Sequence, residues 1–356
     1  MKEIKDLEQP IQGVKNSKEI NRDKNYKLMI YWMIVLFGSI LLVLIMLFSI
    51  TKGSTNISVD IIFDALLSFD SDNSIHLTIV DLRLPRVIAS ALVGSAFAVS
   101  GAIMQGMTKN PLAEPGIMGI NAGAVFALSI CFAFYPDVGY LEIIMLSFLG
   151  AAFGSLLVNG VVYMRRAGAT PARLVLAGVA INALLTSLSQ GIGLTFDVAQ
   201  NMMFWTVGGV AGSNWGQIKI MAPCIVAALL GSVILSPRIS MLSLGEDVAK
   251  GLGLNVVLTN VICSIVVLIL AGASVSVVGA VGFVGLIIPH ISRFLVGIDY
   301  RRIIPASAVL GSILMVLADL CARMINPPFE TPVGALISLI GVPFFLYLAN
   351  RQRSMN

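Results

Sequence analysis

Apolar residues fill ten long stretches of this chain, near positions 29–50, 84–106, 114–134, 141–164, 172–195, 216–236, 257–277, 281–298, 303–323 and 332–350. Most approach the roughly 20 residues that a helix needs to cross a bilayer core. Backbone amides in lipid find no water to bond, so each stretch is expected as a helix and not as a strand. A barrel would instead show short segments of alternating polarity. Small residues recur at close spacing inside the stretches, as at Gly94, Ala98, Gly101 and Ala102. Such residues let helix backbones approach closely, which predicts a compact bundle.

The breaks between stretches are uneven. Residues 243–255 form a polar island in which Leu244, Val248 and Leu252 recur every four positions. Glu246, Asp247 and Lys250 fall on the other faces. That spacing predicts a short amphipathic surface helix, ended by Gly251 and Gly253. A connection needs only a turn, so a helix here points to a surface offered to a partner in water. Residues 51–82 are polar and acidic, with Asp60, Asp64, Asp70, Asp72 and Asp81. Within residues 197–215 lies a short apolar piece, Met202 to Trp205, bounded by Gly208, Gly209 and Gly212. It is too short to span and is expected as a re-entrant or lining helix.

Composition removes the soluble classes. Apolar residues make up 57% of the chain and charged ones 12%, more apolar surface than a soluble domain of 356 residues can hide. Cys131, Cys224, Cys263 and Cys321 lie in or beside apolar runs without CxxC spacing, and read as small core hydrophobes. The polar tail before the first run is too long for a signal-peptide n-region, and no small-residue cleavage motif closes the run, so the first helix is expected to be retained. With the N-terminus inside and ten alternating spans, only Lys52, Arg83, Arg86, Lys219 and Arg323 of the 23 Lys and Arg fall outside. The positive-inside rule therefore places both termini and the 243–255 island in the cytoplasm. No GxxxxGK[ST] loop and no nucleophile–base arrangement occurs, so energy must come from a partner. His290 is a lone intramembrane histidine without a second ligand at metal spacing, and His76 falls outside; a structural role is expected for His290 and no metal site.

Several motifs then carry a resemblance. DLRLPR (81–86), SGAIMQ (100–105), NPLAEPG (110–116), LGEDVAKGLGLN (244–255), GAVGFVGLIIPH (279–290) and ADLCAR (318–323) resemble the permeases of binding-protein-dependent ABC importers for iron–siderophore, haem and vitamin B12. The likeness runs from about residue 80 to the C-terminus, and the N-terminal tail carries none of it. It implies an all-α, type II ABC importer permease fold of about ten helices, with both termini cytoplasmic. The division is a tail over 1–28, a permease domain over 29–350 with a coupling loop at 237–256, and a second tail over 351–356. The resemblance further implies a bacterial plasma membrane, a second permease subunit (identical or not), two cytoplasmic ATPase subunits carrying ATP and Mg, and an extracytoplasmic binding protein. No cofactor is expected on this chain itself, and no nucleic acid.

The resemblance also assigns residues. Leu244, Gly245, Glu246, Asp247, Val248, Ala249, Lys250, Gly251, Leu252 and Gly253 resemble the family's coupling helix, which docks on the ATPase. The plainer reading of Glu246 and Asp247 is that they cap and solubilise the loop. Arg83, Arg86 and Arg323 match positions that meet acidic residues of the binding protein, a task suited to the planar guanidinium fork. The alternative is that they snorkel to headgroups or pair internally with Asp81 or Asp319. Thr170, Pro171 and Ala172 match the gate before the pore-lining fifth span, where this loop is one residue longer than the vitamin B12 pattern. Pro111 and Pro115 should make the third span enter irregularly, with Glu114 pairing or capping near the cytoplasmic boundary. The cargo implied is a ferric siderophore, with haem or vitamin B12 as the alternative. An ion-coupled secondary transporter would need intramembrane carboxylate pairs, in which the spans are poor.

Overall fold

The computed structural model describes residues 17–53, 56–163, 171–327 and 329–353, and every regular element in them is helical. α1 (Ser17–Thr51) begins well before the expected first span, so the end of the polar tail continues that helix outward. α2 (Val59–Leu67) and a short α3 (Ser74–Leu77) fill the acidic segment that follows. A π-helical turn over Thr78–Arg83 leads into α4 (Leu84–Thr108). Then come α5 (Ile120–Phe134), α6 (Tyr140–Tyr163), α7 (Pro171–Thr195) and α8 (Ala199–Val207). α9 (Trp215–Ser243), the short α10 (Glu246–Gly251), α11 (Val256–Val278), α12 (Val284–Val296), α13 (Tyr300–Ile325) and α14 (Val333–Arg353) complete the chain.

Each of the ten expected stretches holds one main helix, but they are not equal. Among the described residues seven helices are long and apolar enough to cross a membrane, whereas α5, α12 and residues 333–346 of α14 are shorter apolar helices. The third stretch is shortened by its own backbone. Lys109 (φ 51°) and Gly119 (φ 80°) turn the chain left-handed, and Pro111 and Pro115 deny it the amides a helix needs. Only a 3-10 turn, Pro115–Met118, forms before α5. The eighth stretch is shortened likewise, because Gly279 and Phe283 carry positive φ before α12 starts.

α4 is the axis of the bundle. In its run from Ser74, 83% of the apolar window is buried, against 11% for α1, whose apolar face is left for lipid. Small residues make this possible. Gly94 of α4 meets the Gly311 carbonyl of α13, Ala98 meets Gly311 as well, and Gly101 meets Gly285 of α12. Gly123 of α5 packs in the same way on Gly150 and Gly154 of α6. These are backbone-to-backbone approaches that side chains would prevent.

Candidate functional site

Two clusters stand at opposite ends of α4, whose 25 residues span roughly 37 Å at 1.5 Å per residue. At one end is α10. The predicted helix over 243–255 is in fact six residues, Glu246–Gly251, because α9 runs on to Ser243 and α11 begins at Val256. Gly245 (φ 126°) opens it, a conformation that a side chain would strain. Gly251 is still helical, and Gly253 (φ 82°) alone supplies the left-handed cap. Its amide donates to the Lys250 carbonyl at 2.9 Å, and that of Leu254 donates to Ala249 at 2.9 Å, the paired bonds of a Schellman ending. Ala249 is fully buried with Leu242 and Val256, which seats the helix on α9 and α11. Leu244, Val248 and Leu252 point the other way and are 59%, 50% and 55% exposed. The stripe that the sequence marked is therefore turned from the body. Glu246 and Asp247 lie in the first turn, favourable to the helix dipole. The Lys250–Glu246 pair at 3.8 Å is solvent-exposed and worth little.

Behind α10 a polar network ties four helices together. The Ser240 hydroxyl of α9 donates to Asp299 Oδ1 at 3.1 Å and accepts from the Tyr300 amide at 2.9 Å. Arg293 of α12 donates to the Tyr300 hydroxyl at 3.0 Å and to Gln105 Oε1 at 3.3 Å. Gln105 in turn donates to the Gly285 and Leu286 carbonyls. Sequence reasoning passed over Ser240, Gln105 and Asp299. The buried amide of Gln105 in an apolar span was the available signal.

At the opposite end the three predicted arginines converge. Arg83 is 6% exposed and donates to the Ile50 carbonyl at 2.6 Å. Arg86 places Nε and an amino group on Asp319, at 2.9 and 2.8 Å, and its other amino group on Glu330. Arg323 pairs with the second Asp319 oxygen at 3.3 Å and donates to the Lys52 carbonyl and to Ser49. Asp319 has no exposure at all, as befits an anion shared by two buried cations. Of the two internal partners considered, Asp319 is engaged and Asp81 stays exposed. The π-helical turn delivers Arg83 to this cluster, and Trp215 holds that turn by donating to the Val80 carbonyl at 2.9 Å. A cleft of about 290 Å³ opens beside the cluster, lined by Arg83, Arg86, Arg323, Phe329 and Glu330 among others. A second, of about 380 Å³, runs between Met203, Phe204 and Val207 of α8 and Pro332 and Val333 at the head of α14. Both include Arg86, Ala211 and Glu330.

The remaining predicted residues are scattered. Glu114 caps a helix, as expected, and the helix is α12. Its Oε1 accepts from the Phe283 amide at 3.0 Å, at the head of α12. Its neighbour Gly116 offers a carbonyl to Asn182 Nδ2, well inside α7. The segment before α5 thus folds back into the bundle, and Glu114 supplies the acceptor that α12 lacks. Glu114→Ala should lower the stability of the solubilised protein by about 1–3 kcal/mol, the range for stranding a buried donor, while Glu114→Gln keeps an acceptor and most of it. Thermal unfolding in detergent reads the difference. His76 is buried, accepts from the Asp70 amide at Nδ1 and faces Asp64 at 3.5 Å. His290 lies edge-on against Phe344. Thr170 lies outside the described residues, and Pro171 and Ala172 form the start of α7. The piece at Met202 to Trp205 is helical, as α8. No group of three or more His, Cys, Asp or Glu among the described residues is placed to hold a metal ion.

Comparison with known proteins agrees with this arrangement. The sequence profile described as the FecCD transport family matches residues 41–351. The iron(3+)-hydroxamate import system permease protein FhuB of Bacillus subtilis (strain 168) is 48% identical over 320 residues, covering 90% of this chain and 83% of that protein. The iron-uptake system permease protein FeuB of the same organism is 41% identical over 307 residues, 86% of this chain and 92% of that one. A solved structure described as an inward-facing conformation of a metal-chelate type ABC transporter superposes with a TM-score of 0.78 at 27% identity, covering 89% of this chain and 99% of that one.

Proposed function

The chain belongs to the FecCD transport family, and from that premise we propose that it is the bacterial plasma-membrane permease subunit of an ABC importer that carries ferric hydroxamate siderophores inward. The observation that carries the cargo is the 48% identity, over 90% of the chain, to a permease named for iron(3+)-hydroxamate import. ATP is bound and hydrolysed, with Mg, on partner ATPase subunits, and an extracytoplasmic binding protein delivers the chelate.

Each cluster has a part in this reading. The α10 end faces the cytoplasm, in keeping with the lysine and arginine distribution. Its outward stripe of Leu244, Val248 and Leu252 is the surface on which the ATPase docks, with Ala249 holding the helix to the body. Nucleotide-driven movement of α10 passes through the end of α9 to Asp299, Tyr300, Arg293 and Gln105, and so to the heads of α12 and α13. At the outer end Arg83, Arg86 and Arg323 receive carboxylates of the binding protein. A second permease subunit closes the pathway. α7 supports this, because Thr186, Ser187 and Gln190 are exposed on a helix that crosses lipid. Hydroxyls and an amide on that face belong against water or a partner. Thr170, together with Pro171 and Ala172 at the start of that helix, forms its gate.

The test is uptake of radioactive iron by cells with and without the gene, one chelate at a time. Selective loss of ferric hydroxamate uptake is expected. Loss of haem or vitamin B12 uptake alone would keep the architecture and replace the cargo. Unchanged uptake of every chelate, with redundant permeases deleted, would overturn the proposal.

A further inference from the structure

We propose that Glu330 is a displaceable stand-in for a carboxylate of the docking partner, holding the outward side of Arg86 until an acidic residue of the binding protein takes its place. The inference rests on the reading of the arginine cluster as the docking site and adds a residue that sets how fast and how tightly docking occurs.

The two anions on Arg86 are held very differently. Asp319 has 1% side-chain exposure and also pairs with Arg323. It cannot leave without stranding two buried guanidinium groups. Glu330 has 45% side-chain exposure and meets Arg86 through one amino group. Asp319 is therefore a fixed part of the site, and Glu330 is the exchangeable part.

Charge and position agree with exchange. Arg83, Arg86 and Arg323 against Asp319 and Glu330 leave one net positive charge (three minus two), and departure of Glu330 raises it to two. An incoming carboxylate thus finds the cluster most attractive when Glu330 has swung out. Only the Glu330 side of this pair meets water, and its departure leaves Arg86 still paired with Asp319, which suits a group that must leave. Glu330 also borders both outer clefts, and Arg86 and Ala211 are the other residues they share. Its release would join them. The loop is tethered close by, where the Thr331 amide donates to the Ala322 carbonyl at 3.2 Å, so the carboxylate can swing while α13 and α14 stay in place.

The measurement is binding of this importer's extracytoplasmic binding protein, loaded with ferric hydroxamate, to the full transporter in lipid nanodiscs. Association rate and Kd are read at several salt concentrations for the wild type, Glu330→Gln, Glu330→Ala and Arg83→Gln. Both Glu330 variants should bind about three- to tenfold tighter, mainly through faster association, and with a steeper salt dependence because the cluster carries more charge. Arg83→Gln should bind more weakly. If Arg83→Gln weakens docking while both Glu330 variants bind as the wild type or worse, Glu330 is no stand-in and the docking site remains. If Arg83→Gln also leaves docking unchanged, the docking reading fails and this inference fails with it.

Discussion

Serine at Leu244, Val248 and Leu252 together is expected to strip the ATPase from this permease and to reduce chelate uptake to background. The three side chains are at least half exposed, and only Ala249 of the helix is fully buried against α9 and α11. A fully buried Leu or Val contributes about 1.5–3 kcal/mol, so covering the exposed half of three yields roughly 3 kcal/mol of docking. Its loss corresponds to more than about a hundredfold in affinity. The permease itself should keep its thermal stability, because these side chains do not hold the bundle. Co-purification of the ATPase and the unfolding temperature of the variant separate the two effects. An ATPase that stays bound to the triple variant would remove α10 from the coupling role. Proline at Val248 would be a mild probe of the same helix. The first amide bonded within the helix is that of Ala249, to the Gly245 carbonyl at 2.8 Å. Val248 lies in the first turn, where a missing N–H removes no helical bond.

Alanine at Gly101 is expected to prevent accumulation of folded protein. Its added methyl would lie 1.9 Å from the Gly285 carbonyl oxygen and 2.4 Å from the carbon that bears it. Both sides of the contact are backbone, so no side chain can rotate away. Ordinary overpacking costs about 1–3 kcal/mol, and this clash belongs at or beyond the upper end. Separating α12 from α4 would also pull the Gly285 carbonyl from Gln105 and loosen Arg293. The comparison is Gly191→Ala, which meets nothing within 4 Å and should be neutral or slightly stabilising. Yield of monodisperse protein in detergent and its unfolding temperature decide the matter. Normal yield and stability for Gly101→Ala would mean that α12 does not rest on α4 as described.

The positions of the helices were legible because crossing lipid is a local requirement. Each stretch must be apolar along its own length and bond its own backbone, and both properties can be read from consecutive residues. Gly94, Ala98 and Gly101 were legible as contact points for the same reason, since small residues at helical spacing have few other uses in lipid. The island at 243–255 was legible as a helix, yet its extent and facing were not. Periodicity finds an apolar stripe but not the side on which the body lies, and here the body took Ala249 and left Leu244, Val248 and Leu252 outside. The capping role of Glu114 was legible but its partner was not, because hydropathy counts residues along the chain and cannot see a segment fold back to reach the Phe283 amide, 169 positions away.

The sequence by itself determined the class of this protein: an all-helical membrane chain, ordered motifs that place it in a family of importer permeases, and three arginines that stand apart from the main body of lysines and arginines. Tertiary structure alone decided what those arginines do at rest. Arg86 finds Asp319 233 positions away and Glu330 244 positions away. Burial of a charge is tolerated only where another chain segment brings a counter-charge within about 3 Å, and that meeting is set by helix packing rather than by any pattern of neighbouring residues.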